Sequence, residues 1–118
     1  MLYTACFREA EKYPGEKWSI ARSQGRHHYK PLKILWPTWD MVQGIKQKQI
    51  SEVEYTRRYY AILDRIDLQR LKNFVEAIQE RDIVLLCHEA EGQFCHRRLV
   101  VQYLMEKLGL NSELVEVH

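Results

Sequence analysis

The sequence predicts an α/β fold in which a short, mostly parallel sheet is flanked by helices, and three observations lead there. Ile83–Cys87 is an unbroken apolar run without alternation, as in a strand buried on both faces under helices. Two stretches upstream, from Ser51 and from Asp67, carry apolar residues at helical spacing. From residue 83 onward the chain then reads strand, polar loop, helix, strand, which is the grammar of a βαβ unit. With 118 residues the chain supports one core, so a single domain over 1–118 is expected.

The elements follow in order. Residues 2–7, LYTACF, are β-favouring and lack alternating charge, which predicts a first, central strand. A charged connection broken by Pro14 and Gly15 leads to WSIAR at 18–22, a second strand, and then to the basic, breaker-rich SQGRHHYKP. Pro37 pushes Trp36 away from helical angles, so residues before it read as irregular and a short helix is expected from Trp39 through Met41 and Val42. Ser51 and Glu54 match a capping box, and Val53, Tyr59, Tyr60, Leu63 and Ile66 supply an inward face behind it. Asp67 caps a following helix with Leu68, Leu71, Val75 and Ile78 inward. After the buried strand and its polar loop, RRLVVQYLMEKLG predicts a helix with Leu99, Val101, Leu104 and Leu108 inward and Gly109 as its stop. Residues 113–117, ELVEV, alternate and close the sheet.

Composition narrows the function classes. Lys and Arg number 18 against 16 Asp and Glu, a net charge of +2, too small to imply an extended nucleic-acid footprint. The first residues carry no basic leader and their apolar stretch ends at Arg8, too short for a membrane span, so a cytoplasmic protein is expected. Three cysteines are an odd count, and in a reducing compartment Cys6, Cys87 and Cys95 are expected as free thiols.

Chemistry concentrates in residues 87–98, CHEAEGQFCHRR, at the carboxyl end of the predicted buried strand, where open parallel sheets bind ligands. A helix beginning near Cys95 or His96 presents unpaired amides and a partial positive charge, which predicts a cradle for a small anion, phosphate-bearing and possibly a nucleotide. Arg97 would neutralise charge, His96 and Glu89 would read polar groups, Cys87 borders the site, and Thr4, Arg22 and Ser23 would line the opposite wall. A second reading makes Cys95 a nucleophile, its pKa lowered by the helix terminus, with His96 or Glu89 in proton transfer. The cysteine phosphatase pattern does not apply, because the sixth residue after Cys87 is Gln93 rather than arginine. Zinc through Cys87, His88, Cys95 and His96 is disfavoured by spacing: neighbours at a strand end point to opposite sides, and seven residues separate the cysteines. A third reading is a nucleic-acid surface over residues 22–39, with Arg22, Arg26, His27, His28 and Lys30 beside Tyr29, Trp36 and Trp39, although a loop whose aromatics cover the sheet explains the tryptophans as well.

The stretch LLCHEAEGQFCHRRLVVQYL resembles the signature of the family known as domain of unknown function 488 (DUF488), through Cys87, Glu89, Phe94, Cys95, His96 and Arg97. YTACF, SIAR, LWP at 35–37 and RRYYAILDRID are also similar to short members, so the likeness spans nearly the whole chain. His88 departs from the usual aromatic, Ala90 from a common lysine, and Gly25 from a frequent proline. The resemblance implies a small Rossmann-like three-layer fold and, as the family's name says, no settled activity. It names no cofactor, and whether the protein is an enzyme stays open at this point.

Overall fold

A computed structural model describes residues 1–89 and 92–118. Five strands form one sheet in which every neighbouring pair is parallel: β1 (Leu2–Cys6), β2 (Glu16–Ser19), β3 (Lys30–Pro31), β4 (Ile83–Cys87) and β5 (Val115–Val117), in the order β3-β2-β4-β1-β5. The four α-helices are α1 (Trp39–Lys46), α2 (Glu52–Asp64), α3 (Leu68–Glu80) and α4 (His96–Leu108). This is a small α/β three-layer fold, and the sheet is wholly rather than mostly parallel.

The unalternating run at 83–87 is explained by position. β4 lies between β1 and β2, in register Leu2↔Ile83 through Cys6↔Cys87 on one side and Glu16↔Ile83 through Ser19↔Leu86 on the other, and all five of its residues are buried. The steps β3 to β4 and β4 to β5 cross the sheet in one direction, and β1 to β2 crosses in the other. Right-handed crossovers therefore put α1–α4 on one face and the 3-10 turn Phe7–Lys12 on the opposite one. α2 and α3 pack against α4, whose Leu99, Val100, Val101, Tyr103 and Leu104 are buried. Inside, the Tyr59 hydroxyl donates to the Leu35 carbonyl at 2.6 Å, satisfying a phenol that burial would otherwise leave unpaired.

Helix ends follow the predicted caps in part. Ser51 Oγ accepts from Glu54 N at 3.0 Å, Asp67 Oδ1 from Gln69 N at 2.8 Å and Thr38 Oγ1 from Met41 N at 3.2 Å. The carboxylate of Glu54 does not turn back to complete a capping box; it accepts from Arg57 and Arg58, which hold its pKa down to about 2. α4 ends at Gly109 in the left-handed region (φ 67°), as its sequence predicts.

Several boundaries differ from expectation. β2 runs over 16–19 rather than 18–22, because Ser19 Oγ accepts from Ala21 N and turns the chain, after which Arg22 leaves the sheet plane for Pro37. β3 is a two-residue edge strand inside the basic loop, a place where Pro31 is tolerated. The charged connection after β1 winds as a 3-10 turn, burying Phe7 and Ala10, and β5 covers only 115–117 behind a 3-10 turn at Ser112–Leu114. Val53 and Leu68, expected inward, are 80% and 54% exposed. Both lie in the first turn of a helix, where Tyr55 and Leu71 take the inward places.

Candidate functional site: a cleft at the carboxyl edge of the sheet

β2 and β4 are neighbours whose onward connections diverge, β2 to the β3 edge and β4 to β5 beyond β1. Divergence of this kind opens a crevice at the carboxyl ends of the strands. A cleft is found there in two adjoining parts. One, of about 470 Å³, is bordered by Lys46, Tyr55, Glu89, Phe94, Cys95 and His96. The other, of about 180 Å³, is bordered by Arg22, Ser23, Trp39, Lys46, His88 and His96. Ile45, Lys46, Glu89 and His96 belong to both. An apolar hollow of about 250 Å³ between α3 and β2, lined by Trp18, Leu32 and Phe74, lies apart from these groups.

Of the residues singled out in the sequence, Arg22, Ser23, Glu89, Cys95 and His96 border the cleft. The Glu89 carboxylate has no hydrogen-bond partner among the described residues, and it adds, behind burial, to the raised pKa of Tyr55. Lys46 has no ion-pair partner among the described residues either. Arg22 donates through Nε to the Pro37 carbonyl at 2.7 Å and lies 5.4 Å and 5.7 Å from the ring centroids of Trp36 and Trp39. α4 begins with Cys95 as N-cap, and its first turn, unlike those of α1, α2 and α3, has no side-chain cap.

Thr4 and Arg97 are placed elsewhere. Thr4 is buried within β1, and its Oγ1 accepts from the His118 backbone N–H at 3.0 Å. Arg97 is fully buried. Its Nη1 donates to Cys87 Sγ at 2.7 Å and to the Glu89 carbonyl at 2.8 Å, and its Nε donates to the His118 carbonyl at 3.0 Å. The guanidinium thus ties the end of β4 to His118 and fixes the backbone that carries Glu89.

His96 is buried, and its Nε2 lies 2.6 Å from the Ile20 carbonyl, which can only accept, so Nε2 carries the proton. Nδ1 is left as an acceptor 3.6 Å from Cys95 Sγ. Burial, with the Arg97 charge beside it, pushes the His96 pKa down to about 4 even against the Ile20 hydrogen bond, and the ring is neutral at pH 7. Cys87 and Cys95, expected as thiols, are joined as a disulfide, and Cys6 is the free cysteine. Sequence distance concealed this contact: the start of α4 lies against the end of β4. His88 is not part of this contact: it borders the cleft with its Nε2 paired with the Ser23 carbonyl and its ring edge-on to Phe7.

Within residues 22–39, Trp39 is 49% exposed, and several of its neighbours have partners in the chain. His27 stacks on Phe7, the Tyr29 hydroxyl donates to Glu11, and Lys30 lies over Trp18. Lys46, at the end of α1, and Lys48 and Ile50, from the connection to α2, were not anticipated as cleft residues, because nothing in GIKQKQIS marks it as functional.

The fold and the cleft define an α/β protein with a crevice at the carboxyl edge of a parallel sheet. The model of the family described as "Active DUF488-N3 subclade" matches residues 5–108, and the chain belongs to the DUF488 family. No curated protein and no solved structure matches it. Among the described residues no helix is long and apolar enough to cross a membrane.

Proposed function

We propose that the cleft between the ends of β2 and β4 binds a small anionic, phosphate-bearing ligand of about nucleotide size. The observation that carries this reading is the convergence, at the divergence point of the sheet, of the uncapped first turn of α4 with Lys46, Arg22 and the Glu89 carboxylate, which has no hydrogen-bond partner among the described residues. Amides at a helix amino terminus and two cations suit an anion, and a carboxylate at the same opening suits a ligand hydroxyl. The volume is within the range of about 300–1,000 Å³ usual for small-molecule sites. Arg97 supports the site from behind by holding the Glu89 backbone. Isothermal titration with inorganic phosphate and nucleoside mono-, di- and triphosphates tests the reading. A nucleotide is expected to bind, and Lys46→Ala to weaken it about tenfold or more, the value of one charge-assisted hydrogen bond. Absence of heat across the panel, or unchanged affinity in Lys46→Ala, overturns it.

A cysteine-dependent enzyme is the second reading, favoured by the Cys95 Sγ to His96 Nδ1 contact and by the word "active" in the description of the matching subclade. It requires the reduced protein, in which His96 Nδ1 can accept the Cys95 proton. Alkylation of reduced Cys95 by iodoacetamide should then titrate below the ordinary thiol value of about 8.5, and an ordinary value removes the case.

A further inference from the structure

Cys95 and His96 on the cleft wall, with Cys87 buried behind them, form a cluster that anion binding does not use. Cys87, Cys95 and His96 are all buried, and their two Sγ atoms and the His96 ring nitrogen lie within 4.8 Å of one another. Three independent features of this cluster suit a shared metal ion. The Cα atoms of Cys87 and Cys95 are 7.6 Å apart, beyond the separation of about 4.4–6.8 Å that disulfides usually span. An ion with two Zn–S bonds of about 2.3 Å lets the sulfurs part and suits the wider backbone. The 3.6 Å from Cys95 Sγ to His96 Nδ1 matches the tetrahedral edge of about 3.5 Å that follows from Zn–S of about 2.3 Å and Zn–N of about 2.0–2.1 Å. Finally, His96 Nε2–H is held by the Ile20 carbonyl, so that Nδ1 turns its lone pair to the sulfurs. Ligating imidazoles are oriented through their other nitrogen in this way.

We propose that the reduced protein binds one zinc-class divalent cation through Cys87 Sγ, Cys95 Sγ and His96 Nδ1, with its fourth position open to the cleft beside Glu89 and Tyr55. Two thiolates and a neutral imidazole cancel the charge of the ion. Arg97 Nη1, 2.7 Å from Cys87 Sγ, therefore faces a thiolate rather than a net cation, and its donation stabilises that thiolate. An open fourth position distinguishes catalytic zinc from closed structural sites. Assembly balances in two steps. A thiol reductant, two RSH giving RSSR, breaks the Cys87–Cys95 bond and leaves a proton on each sulfur. Zinc then forms two Zn–S bonds and releases those two protons to solvent. The disulfide and the metal-loaded forms exclude each other, and neither depends on the anion-binding reading.

The test is titration of the reduced, desalted full chain under anaerobic conditions, with zinc against a chromophoric chelator and with cobalt(II) followed by absorption. One ion per chain is expected, with sulfur-to-cobalt charge transfer and the intense d–d bands of a tetrahedral site. Zinc should protect Cys87 and Cys95, but not Cys6, from alkylation, and diamide oxidation beforehand should abolish uptake. Cys87→Ser, Cys95→Ser and His96→Gln should each weaken zinc about 100-fold or more, beyond the roughly 10–100-fold that loss of an outer-shell partner costs; Cys6→Ser should bind as wild type. Reduced wild type that retains no zinc, or a weak cobalt spectrum without sulfur charge transfer, overturns the proposal. Those two results need no variant, so misfolding of a cysteine variant leaves the answer intact.

Discussion

His96 shows how one side chain is committed by its surroundings before any ligand arrives. Its ring is buried against Tyr59, its Nε2 proton is fixed by Ile20, and burial lowers its pKa from 6.5 to about 4. A depressed histidine pKa stabilises the fold above the unfolded value. Between pH 6.5 and about 4 the unfolded chain takes up a proton that the folded chain refuses, so stability falls as pH falls through that window. For the disulfide form in the presence of a chelator, urea unfolding at stepped pH should show wild type losing on the order of 3 kcal/mol more than His96→Gln between pH 7 and 4. Parallel curves would show that the ring is not held neutral. At this scale the sequence was informative about identity and silent about commitment. It marked Arg97 as a charge for the ligand, whereas the fold spends that guanidinium on Cys87, Glu89 and His118. No local pattern reveals that a residue at position 97 will meet His118, just beyond β5.

Among the elements, those with periodic or unbroken apolar signals were legible, and those defined by a partner were not. β4 declared itself by five apolar residues and α4 by its inward stripe and Gly109, since burial on both faces or on one face leaves a mark in composition. β3 left none, because a two-residue edge strand is set only by the Ser19 carbonyl that accepts from Leu32 N and by its register with β2. The β2 start depends likewise on a neighbour. Gly15 adopts φ 104°, and a Cβ there would come within 2.2 Å of the Asp82 carbonyl oxygen, just where Glu16 N donates to that oxygen at 3.0 Å. Gly15→Ala is therefore wrong for both backbone angle and space. Chemical denaturation should show a loss of more than about 1 kcal/mol, and a neutral result would mean that the β2–β4 junction is not built this way.

Across the whole molecule, the candidate site joins residues after β2, α1 with its connection to α2, the first turn of α2, the loop after β4 and the start of α4. Sequence reasoning located the last two, from the cluster at 87–98, and reached Arg22 and Ser23 through the rule that parallel sheets open at their carboxyl edges. It could not supply Lys46, because strand order alone determines which connection closes over β2 and β4. The same dependence hid the meeting of Cys87, Cys95 and His96, for which spacing along the chain was a misleading guide. The most direct test of the account is amide chemical-shift mapping of the nitrogen-15-labelled protein during titration with a nucleoside triphosphate. Shifts are predicted at Cys95, His96 and Arg97 in the first turn of α4, at Arg22 and Ser23, and at Lys46; an unchanged spectrum, or shifts confined to the apolar hollow around Trp18 and Phe74, would contradict the anion-binding cleft.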